Sequence, residues 1–385
     1  VKVVREDPVR KDLLYAGTET GFYISFNGGD DWQKFQLNLP IVPITDLMVH
    51  QGDLLASTQG RAFWILDDLK PLQDYKPEDK SKKLIVYQPE IPIRFGSDGG
   101  GPARGAVILG TNPPSGAVIY YSLNISDTSE HVSVEISDLN GKVIRTFGSQ
   151  EKLAAKKATR DTNLNKIVWD FRTEPQSLPD GLMVLGGNNS YRVAPGTYQV
   201  KVTYGKESET KQFELKNDPR QSTTAEQFAD QQNILNELKT SIDDIYDQVK
   251  RMRYIKEQVN AYTKRGDGDQ KEIKEKAASI TKLIDSLENK MVQSKSKTFQ
   301  DVVNFENQLD AKLKHVMDLI DEAAPPITQG QKSRSMDLIK EWVDTKQSVN
   351  KLIQDDVKSL NELIEKNKVP FISTERKVEK PVSKS

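Results

Sequence analysis

The spacing of hydrophobic positions changes once along the chain, near Asp218. Before this point, short apolar runs recur about every ten residues, with glycine, proline, asparagine and aspartate between them, a pattern typical of antiparallel β-strands. After it, apolar residues recur at alternating steps of three and four, which is typical of amphipathic helices. The pattern therefore predicts a multidomain chain in which β-structure comes first and α-structure follows.

The first β-region contains six apolar runs between Leu13 and Leu66. Six short strands correspond to about one and a half four-stranded blades of a β-propeller. Because a partial ring leaves one face of a blade and its edges uncovered, such blades need neighbours. We therefore predict that residues 1–69 form the last one to two blades of a propeller, and that their partners are upstream blades of the same protein.

A second β-region follows over residues 106–217, where about seven further runs predict an immunoglobulin-like or fibronectin III-like β-sandwich. Trp169 is the predicted anchor of its core, because aromatic residues at strand spacing usually face the interior. Asn140-Gly141 predicts a type I′ hairpin turn. The stretch between the two regions, residues 70–105, is rich in X-Pro steps and glycine and is predicted to be a linker.

Four apolar seams of helical period predict an antiparallel helical bundle over residues 223–366. The seams begin at Leu235, Ile273, Phe299 and Ile339, and the first helix is predicted to be about 39 residues long. The connections between the seams are short, which makes neighbouring helices antiparallel. We interpret these seams as core positions.

Composition agrees with this division, since 20 of the 23 glycines and 14 of the 18 prolines lie at or before position 222. The formal charge of −1 does not favour nucleic acid as a partner, and no apolar run approaches the roughly 18 residues of a membrane span. The absence of cysteine excludes disulfides and thiolate metal sites. The charged tail, residues 367–385, is predicted to be disordered.

The chain starts at Val1, and no basic and apolar leader follows it. We therefore expect it to be a C-terminal fragment whose signal peptide, if there is one, lies upstream.

One segment has the spacing of a known turn motif. Ser25-Phe26-Asn27-Gly28-Gly29-Asp30-Asp31-Trp32 resembles the Asp-box, S-x-D-x-G-x-T-W, of the BNR repeat in sialidase-type propellers. Ser25, Gly29 and Trp32 keep their places, whereas Asn27 and Asp31 replace the usual aspartate and threonine. We expect Asn27 to bond to turn amides and Trp32 to pack beneath the hairpin. In such families the motif is a structural corner remote from catalysis.

A second motif extends from Thr58 to Asp68 and includes the predicted structural residues Gly60, Arg61, Trp64 and Asp67. It is similar to the closing segment of large bacterial BNR/Asp-box propeller proteins that are related to the luminal domain of sortilin and are often labelled glycosyl hydrolases. The resemblance covers nearly the whole chain. It implies a secreted, periplasmic or cell-surface protein with upstream propellers, an Ig-like domain and a helical C-terminus.

Glycoside cleavage needs two carboxylates about 5 to 9.5 Å apart. Asp67 and Asp68 are adjacent, and neighbours on a strand point to opposite faces, so they are not expected to flank one bond. Asp67 is interpreted as a strand-end hydrogen-bonding residue and Arg61 as a brace of the propeller. The resemblance implies that the acid and base lie in earlier blades, so no catalytic residue and no complete active site are predicted here, and whether the parent is an enzyme stays open.

The three histidines, His50, His131 and His315, show no paired metal-ligand spacing, so neither a metal nor a cofactor is predicted. Two functions remain open. The chain is either an accessory region of a carbohydrate-active protein, with glycans as ligands, or part of a non-catalytic, sortilin-like module that binds a peptide or protein.

Overall fold

The computed structural model describes residues 1–95, 114–125, 129–184, 187–265 and 271–366. The described residues form two compact units. The first is drawn from Val1–Arg94, Gly101–Phe171 and Gly196–Lys216, and the second from Phe95–Gly100, Arg172–Pro195 and Asn217–Ser385. β-strands build the first unit and helices dominate the second, which confirms the predicted order of β followed by α. The predicted disordered tail, 367–385, lies outside the described residues.

The strands are short, as the spacing of the apolar runs predicts. In chain order they are β1 (Val3–Glu6), β2 (Leu14–Gly17), β3 (Phe22–Ser25), β4 (Gln33–Lys34), β5 (Ile44–His50), β6 (Asp53–Thr58), β7 (Phe63–Leu66), β8 (Leu84–Val86), β9 (Ile93–Arg94), β10 (Ala117–Leu123), β11 (Val132–Asp138), β12 (Val143–Gly148), β13 (Asn163–Trp169), β14 (Gly196–Tyr204) and β15 (Glu207–Asn217).

The first seven strands form two antiparallel sheets, one of order β1-β2-β3-β4 and one of order β5-β6-β7. The six predicted runs correspond to β2 to β7. Strand β1 was not predicted, because Val3 is the only one of its residues that is buried. Each sheet contributes one face to a shared core, in which Tyr15 and Ile24 of the first sheet lie with Leu47 and Leu54 of the second.

Two further antiparallel sheets, of order β13-β10-β8 and β12-β11-β14-β15-β9, complete the first unit. Trp169 is fully buried and makes edge-on ring contacts with Phe171, Tyr198 and Phe213 at centroid distances of 5.8, 5.5 and 6.1 Å. Tyr198 and Phe213 belong to the second of these sheets, so the tryptophan joins the two. Its predicted role as core anchor is confirmed.

The predicted linker is structured over its described part. Residues 70–95 form a short helix, α1 (Lys70–Asp74), a 3₁₀ turn (Pro77–Ser81) and strands β8 and β9. Prolines lie in the first turn of both helical segments, where the missing N–H is no loss. Two of the X-Pro steps that predicted a linker, Lys70-Pro71 and Lys76-Pro77, therefore start helical turns.

The hairpin between β11 and β12 also differs from its prediction. Gly141 has a positive φ of 81°, whereas Asn140 does not, so this is not a type I′ turn. The N–H of Gly141 donates to the carbonyl of Asp138 at 3.1 Å, and the Asp138 carboxylate accepts from the N–H of Asn140 at 2.9 Å. The aspartate side chain thus selects a longer loop that ends on a left-handed glycine.

The helices of the second unit are long and follow the predicted seams. They are α2 (Ala225–Arg265), α3 (Lys271–Met291), α4 (Leu309–Glu322), α5 (Gln329–Lys351) and α6 (Lys358–Lys366), with a π-helical turn (Leu352–Val357) between the last two. The first helix has 41 residues, close to the predicted length. Helix α2 packs against α3, α4 and α5, and the apolar seams of the first two helices are buried.

The third helix starts ten residues later than predicted. Phe299–Val303 form a 3₁₀ segment, and α4 begins at Leu309. The side chains of Thr298 and Asp301 bond reciprocally to each other's backbone N–H groups, which caps the start of this separate 3₁₀ segment. Val303, the last residue of the segment, is 83% exposed and does not extend the seam.

Residues 172–195, which were predicted to belong to the β-sandwich, lie in the second unit with the helices. Leu182 and Tyr191 are buried in the helical core. At the end of α4, Asp321 is only 2% exposed; its carboxylate accepts hydrogen bonds from Arg172 Nη1 (3.0 Å) and from the backbone N–H (2.8 Å) and Nε (3.3 Å) of Arg192. This buried ion pair attaches the segment to the helices.

We expect Arg192→Ala to lower the free energy of unfolding of the second unit by about 3 kcal/mol, because it leaves the buried Asp321 carboxylate with fewer partners. Urea unfolding followed by far-ultraviolet circular dichroism measures this. The control is Lys340→Ala, which removes an exposed partner of Asp344 and should leave the free energy of unfolding nearly unchanged. Equal effects of the two substitutions would contradict a structural role of the pair.

A second buried carboxyl group makes the stability of the helices depend on pH. Asp310 is almost fully buried, accepts a hydrogen bond from the hydroxyl of Tyr246 (3.3 Å), and has a pKa that burial raises to about 6. A folded-state pKa above the unfolded value means that the folded state binds the proton more tightly. The stabilisation is therefore complete below about pH 4 and is lost as the pH rises through 6.

We accordingly expect Asp310→Asn, which cannot ionise, to raise the free energy of unfolding at pH 7 by about 2 to 3 kcal/mol relative to the unsubstituted chain. The gain should shrink toward zero near pH 4. Urea unfolding at a series of pH values tests both points, with the exposed Asp344→Asn as control. A loss of stability that is the same at every pH would contradict the burial argument.

Candidate functional site

The Asp-box-like segment forms the turn between β3 and β4. Ser25 is fully buried; its Oγ donates to Asn27 Oδ1 (2.9 Å) and accepts from the N–H of Gly29 (3.0 Å). Asn27 Oδ1 also accepts from the N–H of Asp31 (3.0 Å), and Asn27 Nδ2 donates to Asp31 Oδ2 (2.9 Å). The side chains of Ser25, Asn27 and Asp31 are therefore engaged in closing the turn on itself.

Two glycines give this turn its backbone. Gly28 and Gly29 have positive φ angles of 73° and 99°, a region that side chains disfavour. Trp32 is 39% exposed, and its ring lies against the turn, where a Cβ on Gly29 would be 3.7 Å from its Cζ2.

The second motif occupies the hairpin between β6 and β7 and the end of β7. Gly60 has a positive φ of 84° in the hairpin turn. Trp64 Nε1 donates to the backbone carbonyl of Arg61 at 3.0 Å, and the tryptophan ring packs against the core of the two sheets. The Arg61 side chain is exposed, so its backbone, and not its guanidinium, makes this contact.

Acidic groups gather where β7 ends. Asp67 is exposed, whereas Asp68 is half-buried in a left-handed conformation, with its N–H bonded to Asp53 Oδ1 at 2.8 Å and its Oδ1 accepting from the N–H of Lys70 at 3.2 Å. Burial raises the pKa of Asp68, and burial followed by the charge of Asp68 raises the pKa of Glu90. These contacts hold the chain in place after β7.

An apolar surface covers the outer side of the three-stranded sheet. Met48, Leu55 and Ile65 are direct cross-strand neighbours on β5, β6 and β7, and Phe63 lies two residues before Ile65 on the same side. Phe63, Ile65 and Met48 are 78%, 59% and 56% exposed. We call these four residues the outer face.

The opposite side of the same sheet is buried against the four-stranded sheet, with Leu54, Ala56, Trp64 and Leu66 in or against the core. Strand β7 is therefore apolar on both sides. Strands β5 and β7 are the edges of this sheet as described. Exposed apolar patches of this kind mark interaction surfaces, so the outer face is suited to docking.

The structure distributes the predicted residues between two places. Ser25, Asn27, Gly29 and Trp32 lie in the turn of the four-stranded sheet, and the residues of the second motif lie in or next to the β6–β7 hairpin, in the sheet that carries the outer face. Sequence reasoning missed Met48, Phe63 and Ile65 as site residues. A signal was present, since Phe63–Leu66 contains no polar residue, and a strand without alternation predicts burial on both sides.

The histidines and acidic residues considered as metal ligands do not form a metal site in the described part of the chain. Across the described residues, no group of three or more His, Asp and Glu side chains is arranged to hold a metal ion. None of the described helices has the length and apolar character that crossing a bilayer requires.

No protein-family profile matches the chain, and no curated protein sequence matches it significantly. The resemblance to BNR/Asp-box proteins therefore depends on the motif residues themselves. The functional argument that follows is based on the geometry of the turn and of the outer face.

We expect Ser25→Ala to lower the free energy of unfolding of the first unit by about 1 to 3 kcal/mol, because the N–H of Gly29 loses its acceptor inside the turn. Urea unfolding followed by tryptophan fluorescence measures this. Ser57→Ala is the matched control, since its hydroxyl bonds to Thr45 Oγ1 at the surface and its loss should cost less than about 0.5 kcal/mol. A neutral Ser25→Ala would show that the turn does not depend on this hydroxyl.

Proposed function

We propose that the chain is an accessory, non-catalytic region of an exported BNR-repeat propeller protein, and that its outer face packs on a further sheet of the same protein. The parent is proposed to be carbohydrate-active, with its active site in that further part. The observation that carries the proposal is the row of exposed apolar side chains on a sheet whose other side is already buried.

Energetics support burial of this face. Complete burial of one large apolar side chain is worth about 1.5 to 3 kcal/mol. Phe63, Ile65 and Met48 are each more than half exposed, so covering all three provides roughly 3 to 6 kcal/mol. A partner sheet in the same chain gains this without the entropy cost of bringing two molecules together, which favours it over a second copy.

The packing of the four-stranded sheet on the inner side of the β5–β7 sheet shows how a further sheet could pack on the outer face. There the two sheets approach closely, because a Cβ on Gly17 of β2 would lie 2.7 Å from Ile44 Cγ2 of β5 and 2.8 Å from Val3 Cγ1. A sheet that packs this way on both sides is the repeating unit of a propeller. The Asp-box-like turn, with Asn27 and Asp31 bonded to each other, supports a structural role for the motif.

The substitution Phe63→Ser distinguishes an outer face that is exposed to water from one that is covered by a further sheet. In the 385-residue chain it should change the free energy of unfolding by less than about 0.5 kcal/mol, because Phe63 is largely exposed. In the longer parent protein it should cost about 3 kcal/mol or more, since a buried phenylalanine is lost. Urea unfolding of both forms measures the difference.

The control is Val303→Ser, at a site in the second unit that is 83% exposed; it should be neutral in both forms. If Phe63→Ser is also neutral in the parent, the outer face has no partner sheet and the proposal fails.

Release of reducing sugar from a glycan panel by the parent tests the carbohydrate-active part. Peptide binding without sugar release would favour the sortilin-like alternative.

A further inference from the structure

A groove of ≈ 590 Å³ lies in the first unit, between the segment that follows α1 and strands β8 and β15. Tyr75 lines one wall, Val86 and Tyr87 line the end of β8, and Glu209 lies on β15. Its volume falls within the range of small-molecule sites, about 300 to 1,000 Å³. No residue of the outer face lines it.

The charges of the groove balance. Four basic and four acidic side chains line it, so its formal charge is zero. Several neutralise each other directly, such as Lys82 with Asp79 and Lys211 with Glu209, both at 2.7 Å. A groove without net charge has no field to concentrate a polyanion or a polycation.

The edge of β8 is closed to an added strand. The N–H of Val86 donates to Glu209 Oε2 at 2.8 Å, so the backbone donor that an extended peptide would use is already occupied. Recognition of peptides by strand addition depends on such free edge groups. The polar lining likewise does not suit a lipid or another apolar ligand.

Among the groups that remain available, two glutamine amides and one tyrosine suit hydroxyl-rich molecules. Gln73 and Gln88 each commit the amide nitrogen within the protein, to the Asp7 carboxylate (3.2 Å) and to the Gln212 carbonyl (2.7 Å), which leaves both amide oxygens as oriented acceptors. The ring of Tyr75 is half-buried, and its hydroxyl bonds to no other described residue.

The ring of Tyr75 is also held in place. It packs against the ring of Phe26 at a centroid distance of 4.9 Å. The Arg10 guanidinium in turn lies over the Phe26 ring, 5.1 Å from its centroid. A fixed aromatic ring with flanking acceptors can contact the C–H face of a sugar and bond to its hydroxyls.

We propose that this groove binds an uncharged oligosaccharide. The inference rests on the proposed carbohydrate-active role for its biological setting, but its chemistry comes from the groove alone. The groove and the outer face are separate surfaces, so each can be tested while the other is left intact.

The test uses the intact 385-residue chain and a set of uncharged hexasaccharides of glucose, xylose, mannose and N-acetylglucosamine, with binding measured by isothermal titration calorimetry. We expect at least one to bind with a submillimolar Kd that changes little with salt. Tyr75→Ala should weaken that binding at least tenfold, and Gln88→Ala several-fold. Tyr75→Phe, which keeps the ring, should weaken it less than Tyr75→Ala does.

Tyr254→Ala, at a half-buried tyrosine of α2, is the matched control and should leave Kd unchanged. Thermal unfolding confirms that each variant is folded. The inference is overturned if no hexasaccharide binds, if binding survives both Tyr75→Ala and Gln88→Ala, or if these substitutions instead abolish binding of an extended peptide or an acidic polysaccharide. Phe63→Ser should not change sugar binding, so failure of the groove and failure of the outer-face proposal are distinguishable.

Discussion

A β-sheet that is apolar on both sides has to be covered on both sides, and this constraint governs the β5–β7 sheet and the function proposed for it. The four-stranded sheet covers the inner side, where Leu47 and Leu54 are buried with Tyr15 and Ile24. Within the described part of the chain, the outer side remains exposed at Phe63, Ile65 and Met48. Exposing such an area to water is unfavourable, which supports the proposal that a further sheet packs on it.

Polar groups determine the finer geometry of both units. In the first, the buried hydroxyl of Ser25 and the amide of Asn27 satisfy the backbone of a tight turn, so these two side chains of the motif serve conformation. In the second, Asp321 at the end of α4 binds two arginines of a segment that is remote in sequence. In each place, a buried acceptor selects one arrangement among several that apolar packing alone would tolerate.

Sequence patterns predicted the structure correctly where the apolar residues repeated with a clear period. Helix α2 and the burial of Trp169 followed from apolar spacing, because a helical seam or a strand-spaced aromatic has few alternative placements. They failed where short polar residues decide the backbone. The Asp138 carboxylate bonds to the hairpin backbone and favours a different hairpin type, and the reciprocal bonds of Thr298 and Asp301 cap a separate 3₁₀ segment where the apolar pattern predicts the start of a helix.

By itself, the sequence determined the division into a β-part and an α-part, the strand spacing and the helical seams, because these depend on the periodicity of neighbouring residues. Only the tertiary structure decided that residues 172–195 join the helices, that the predicted linker carries strands, and that Met48, Leu55 and Ile65 form one surface. These features depend on contacts between residues far apart in the chain. Local periodicity contains no information about which distant segments meet.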